Sequence, residues 1–178
     1  MTVAEKIQFT IAVITGVGVL VTVFTPILQA AIQYKNRPKL DILPTESCNK
    51  TLNGDRYIRV KIQNLGKLTA KNVRAKVCWE DGEQIPPIPV SWTHTNTLNC
   101  DYIGNLVAEY VDIAIDYANQ TDFKLTTYLN AADSSTTRTT NDVSIRIIAY
   151  ADNANLVTKT IHFKRNLSGE MHGVSTEI

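Results

Sequence analysis

From Phe9 to Ile32 the chain reads FTIAVITGVGVLVTVFTPILQAAI, a run without a charged residue in which Ile, Val, Leu and Phe dominate. No other feature constrains the fold as strongly. A helix of this stretch rises about 36 Å at ~1.5 Å per residue and more than covers the ~30 Å hydrocarbon core of a bilayer. A helix apolar on every face over that length has no polar side to turn to water, so a membrane span is expected rather than a core helix. A cleaved signal peptide would carry a shorter apolar region closed by small residues of the A-x-A kind. Here the run continues through Leu28, Gln29, Ala30 and Ala31 without them. A type IV pilin also opens with such a helix, behind a short basic leader, whereas only Met1 to Ile7 precedes this run. The expectation is an anchor and juxtamembrane linker over 1–39, with an extracellular surface or pilin-like filament subunit, its helix packed in a fibre core, as the alternative.

The flanks suggest an orientation. Glu5, Lys6 and the amino terminus precede the span, while Lys35, Arg37 and Lys39 follow it with no acid before Asp41. The excess of positive charge places the carboxyl-terminal part on the cytoplasmic side of the cell membrane. Pro38 disfavours a helical Arg37, so the helix should stop near the membrane surface, with Tyr34 at headgroup level.

Of the 178 residues, about 140 remain outside the span, enough for one domain with its own core. The formal net charge of +1 carries no basic excess of the kind that points to nucleic acid. Cys48, Cys78 and Cys100 form an odd set without C-x-x-C, which suits a reducing compartment; under the reversed topology Cys48 and Cys100 are the pair to expect. The sequons at Asn49, Asn119 and Asn166 are what chance gives in a chain rich in Asn and Thr.

Beyond Leu40 the hydrophobic period changes to two. Tyr57 to Gln63 (YIRVKIQ) sets Ile58, Val60 and Ile62 against Arg59, Lys61 and Gln63, the pattern of a half-buried strand. After the turn Asn64-Leu65-Gly66-Lys67, Val73 to Trp79 alternates with Val73, Ala75, Val77 and Trp79 inward. Ile85 to Val90 (IPPIPV) is half proline and therefore an edge or a crossing between sheets, followed by Trp92 as a core plug. Val111 to Tyr117 is expected to bury Val111, Ile113 and Ile115 and to expose Asp112 and Asp116. Phe123 to Leu129 is a weaker strand, Ala131 to Asn141 a polar loop, and Val143 to Tyr150 with Leu156 to Lys164 a hairpin, its Ile145 and Ile147 buried. Short strands spaced by turn signals, with no helical pattern among them, predict a mainly β chain: an antiparallel immunoglobulin-like sandwich over 40–165 and a loose tail over 166–178.

Val60 to Val73 (VKIQNLGKLTAKNV) resembles the V-x-V-x-N-x-G-x-x-x-A-x-N-V strand-turn-strand of CARDB-like and related immunoglobulin-like domains of prokaryotic membrane and cell-surface proteins. Asn64 and Gly66 make the turn, and the small Ala70 lets the returning strand enter the core. Ala149 to Asn155 (AYADNAN) is similar to the Asp/Asn-rich last hairpin of such domains, although Val157 and Lys159 stand where a glutamate is often found. The resemblance implies a fold and not an activity, since sandwiches host many functions.

Motifs for chemistry are missing from the sequence. His94, His162 and His172 lie in separate contexts, and His94 with Cys100 supplies only two metal ligands. Neither a nucleophile elbow, a P-loop nor a dinucleotide fingerprint occurs. Asp112 and Asp116 would stand some ~13 Å apart on one strand face, too far for a carboxylate pair. Asp152, Asn153 and Asn155 are read as turn formers before calcium ligands. An enzyme, a cofactor and a small-molecule substrate are therefore not expected. Basic residues from Arg56 to Lys76 and acidic ones from Glu80 to Asp122 segregate along the chain, which reads first as cross-strand pairing and second as a basic face on anionic lipid.

Within the span, Gln8, Thr15, Thr22 and Gln29 recur every seven residues, with Ile11, Gly18, Thr25 and Ile32 at the second position of the same repeat. These make one stripe on a helix. Gln8, Thr15, Gly18, Thr22, Thr25 and Gln29 are the candidate helix-association face, because lipid offers Gln no partner and Gly18 permits close backbone approach; the alternative is that the threonine hydroxyls satisfy themselves on the preceding turn. Lys35, Arg37 and Lys39 are the candidate membrane-proximal basic group. The expected partners are the lipid bilayer and either other membrane subunits or a second copy.

Overall fold

The computed structural model describes residues 2–45, 49–50, 54, 56–80, 86–117, 122–126, 136–139, 142–165 and 171–176. The chain divides into two compact units, Met1–Arg37 and Pro38–Ile178.

The first unit is one helix, α1 (Val3–Asn36). Thr2 caps it: its hydroxyl accepts from the Glu5 amide, and the Glu5 carboxylate accepts from the Thr2 amide at 2.6 Å. Two amides that a helix start leaves open are thereby satisfied. At the other end Arg37 is extended (ψ 155°), as expected of a residue before proline. No residue of α1 is buried, and the helix is long and apolar enough to cross a membrane.

The second unit contains twelve strands among the described residues: β1 (Leu40–Pro44), β2 (Asn49–Lys50), β3 (Arg56–Asn64), β4 (Ala70–Trp79), β5 (Ile88–Val90), β6 (Asn99–Ile103), β7 (Ala108–Asp116), β8 (Asp122–Leu125), β9 (Thr137–Thr139), β10 (Asp142–Ala151), β11 (Ala154–Arg165) and β12 (Met171–Thr176). They form two antiparallel sheets. One runs β1-β3-β7-β8-β9 with β2 also on β3; the other runs β12-β11-β10-β4-β5 with β6 also on β4. Inward side chains of both sheets make one core, in which Ile58, Val60, Ile62, Val73, Val77, Trp79, Ile113, Ile145 and Ile147 are all buried. The mainly β, sandwich-like architecture expected from the alternation is the one observed.

Trp92 joins the layers. It bridges Val111 of the first sheet, while its indole Nε1 donates to the Val73 carbonyl of the second at 3.2 Å. The proline-rich segment before it supplies the edge strand β5, pairing with β4 from Ala75 to Val77, as its missing amides require.

Three expectations are corrected. Ile115 was expected inward and Asp116 outward, but Asp116 is buried and Ile115 half-buried. The β3–β7 register slips between Ile58, opposite Ala114, and Arg59, opposite Asp112, leaving Ile113 as an extra residue. Such a bulge shifts the alternation by one, so Asp112 and Asp116 face opposite sides of the sheet. The stretch 131–141 is not wholly loop, because Thr137–Thr139 pairs with β8. Nor is 166–178 only a tail: Met171–Thr176 adds a strand to β11. Cys48 and the sequon residues Asn119 and Asn166 lie outside the described residues.

Candidate functional site

The helix stripe and the end of the sandwich where the chain enters it are the two places that carry candidate functional residues. At ~100° per residue, Gln8, Thr15, Gly18, Thr22, Thr25 and Gln29 fall within an arc of about 100° on α1, drifting slowly around it as a seven-residue repeat must. The threonines turn their hydroxyls back onto the preceding turn: Thr15 donates to the Ile11 carbonyl at 2.8 Å, Thr22 to Val19 at 2.9 Å and Thr25 to Val21 at 2.6 Å. Their protons are thus spent inside the helix. The threonines offer a neighbour acceptor oxygens, and the face allows a close approach at Gly18, where an added Cβ would meet nothing within 4 Å. Pro26 supplies no amide to the Thr22 carbonyl, one turn earlier.

Of the basic group, Lys35 lies in the last turn of α1, where a cation complements the helix dipole. The Arg37 guanidinium stacks on Tyr34, 4.3 Å from the ring centroid. Lys39 belongs to the second unit and is fixed there through its backbone. Its amide donates to the Asn64 side chain at 3.1 Å, and its carbonyl accepts from the Leu65 amide at 2.7 Å.

Asn64 is fully buried at the end of β3 and uses every hydrogen-bonding group it has. Its Oδ1 accepts from the Lys39 and Gly66 amides, and its Nδ2 donates to the carbonyls of Leu68 (2.7 Å) and Ile103 (3.0 Å). Its backbone amide donates to Val107, and its carbonyl accepts from Leu106. One asparagine thereby ties the entering chain, the β3–β4 loop and the β6–β7 loop together. The β10–β11 turn joins the same end: Asn153 accepts from the Lys71 amide and donates to the Thr69 carbonyl, and Asp152 accepts from Asn72 at 2.5 Å. The two segments that carried the sequence resemblance are therefore in direct contact. Asn72 has a left-handed backbone (φ 50°), and with it the inward positions Ala70 and Val73 stand three apart instead of two.

The basic run from Arg56 to Lys76 does not form one face, because β3 and β4 lie in different sheets. Arg59 pairs with Asp112 across β3 and β7 at 2.5 Å, the cross-strand pairing that charge segregation suggested first. On the other sheet Arg146 makes a two-pronged bond to Glu80 at 2.7 and 2.8 Å, joined by the Thr160 hydroxyl. The Arg146 hydrogen bonds hold the Glu80 carboxyl below its ordinary range.

Cys78 and Cys100 are free and buried, and loss of solvation pushes both thiols up, so both stay protonated and weakly nucleophilic. His94 lies 3.3 Å from Glu109 beside Cys100 in an open groove. Among the described residues no three His, Cys, Asp or Glu side chains are grouped to hold a metal. Sequence reasoning had not singled out the exposed Leu65, Leu68, Leu106 and Val107 at the Asn64 end; their apolar character inside polar loops was the available signal. Comparison with protein-family models, with curated proteins and with solved structures finds no match.

Proposed function

We propose that the protein is a single-pass membrane-anchored interaction module: α1 spans the bilayer and holds an immunoglobulin-like sandwich of the CARDB kind on the cytoplasmic side, as a non-catalytic subunit of a membrane complex. The observation that carries this is a helix of 34 residues none of which is buried. Such a surface is stable only in hydrocarbon or against other apolar helices. The cytoplasmic side is supported by Lys35, Arg37 and Lys39 after the span and by the free thiols of Cys78 and Cys100. Association with another subunit or a second copy is supported by the stripe from Gln8 to Gln29, with Gly18 open at its centre.

Protease added to sealed, right-side-out vesicles tests the arrangement. A cytoplasmic sandwich is protected until the membrane is permeabilised. Digestion in sealed vesicles would instead support the extracellular or filament alternative.

A further inference from the structure

Among the described residues of the sandwich, most of the exposed large apolar side chains are gathered at one end. Leu65 and Leu68 lie in the β3–β4 loop, and Leu106 and Val107 in the β6–β7 loop, all four between 45% and 65% exposed. Tyr102, paired with Lys71, and Leu156, early in β11, flank the same end. Tyr110, farther along β7, is the remaining one among the described residues of this unit.

We infer that this tip, Leu65, Leu68, Leu106 and Val107, rests in the interfacial layer of the bilayer that α1 spans, which builds on the anchor reading above. Four observations converge. The loops form one platform rather than separate strands of chain: besides the Asn64 bonds, Asn105 donates to the Gly66 carbonyl at 2.6 Å. Leu106 is held at φ 59°, a conformation glycine or asparagine adopts more readily, and its side chain is nevertheless 65% exposed. The fold thus strains its backbone to present an apolar group that the fold itself does not bury.

The charges around the tip suit an anionic surface. Lys39, Lys67 and Lys71 are all exposed there; of the nearby acids, Asp152 is hydrogen-bonded to Asn72, Asp41 lies 3.7 Å from the Lys159 ammonium, and Asp101, beside Tyr102, is exposed, so the lysines outnumber the exposed acid. Finally, Lys39, whose backbone is part of the platform, follows the last helical residue by three positions, so at most about 11 Å of chain separates them. Leucine and valine in the interface with lysines at headgroup level is a pattern that peripheral membrane contacts share.

The full-length protein carrying Leu68→Trp is reconstituted into protein-free vesicles of phosphatidylcholine and phosphatidylglycerol with brominated acyl chains, beside a control with Lys164→Trp at the opposite end. The native Trp79 and Trp92 are buried and give a constant background. Bromine should quench the emission added by Leu68→Trp at least about twofold and leave that of Lys164→Trp unchanged, with weaker quenching when phosphatidylglycerol is omitted. If Leu68→Trp folds poorly, Leu65→Trp replaces it. Equal, unquenched emission from the two positions in vesicles that retain the protein after an alkaline wash overturns the docking and leaves the span standing, with a protein partner as the tip's occupant. Loss of the protein in the wash overturns both.

Discussion

Arg165, at the end of β11, reaches across the sandwich to Asp116 at the end of β7, with Nη2 2.5 Å from Oδ1 and the carboxylate only 4% exposed. The guanidinium also lies over the Phe123 ring, 5.1 Å from its centroid. This pair joins the two sheets at the end opposite Asn64, and the Arg165 Nε finds no acceptor among the described residues. Replacing Asp116 takes from the largely buried Arg165 guanidinium the carboxylate it is bonded to. Asp116→Ala should cost about 3 to 5 kcal/mol, while Asp116→Leu combined with Arg165→Met should cost much less. Denaturant melts of the detergent-solubilised protein, followed by tryptophan emission, measure both.

The bulge makes a prediction that simple alternation would reverse. Ile113→Ala, at a fully buried position, should destabilise by about 2 to 5 kcal/mol, as should Ile62→Ala. Ile115→Ala, at a half-buried position, should cost less than about 1.5 kcal/mol. Equal losses at Ile113 and Ile115 in the same melts would mean that the β3–β7 register is not the one described.

Much of this fold is legible in the residues because sheets bury one face. Ile58, Val60 and Ile62 on β3, and Ile145 and Ile147 on β10, announce their direction by alternation, and Pro86, Pro87 and Pro89 announce an edge. What escaped depends on partners rather than on local pattern. The bulge at Ile113 exists only in relation to β3, and it reverses Asp116 and Ile115. Strands β9 and β12 are edge additions held by backbone pairing, so Thr-rich or mixed sequence suffices. On α1 the stripe was visible as a repeat, but only the structure shows the threonine protons already bonded within the helix.

The Glu80–Arg146 pair gives a pH dependence with a definite sign. The folded-state carboxyl is lowered, chiefly by the Arg146 hydrogen bonds, so its contribution is present above the ordinary carboxylate range and is lost as pH falls through the lowered folded value. Glu80→Gln should therefore be less stable than the parent at neutral pH, with the difference shrinking as acid is added. A gap between the two melting curves that stays constant from neutral to strongly acidic pH would falsify the assignment.

For the helix face, Leu at Thr15, Gly18 and Thr22 together should weaken association in a bilayer reporter assay, whereas Leu at Val13, Val17 and Val21 should not. Because the threonine protons are bonded inside the helix, Gly18→Leu alone should carry most of the loss. Identical behaviour of the two triple variants would leave α1 as an anchor without a partner.

As a membrane span, α1 stays attached to the sandwich and lies in the bilayer. Membranes from cells producing the full chain, washed at alkaline pH and analysed by intact-mass spectrometry, test it most directly. The protein should remain in the membrane pellet with the α1 residues still part of its measured mass. Release into the wash, or a mass lacking the amino-terminal helix, would contradict it.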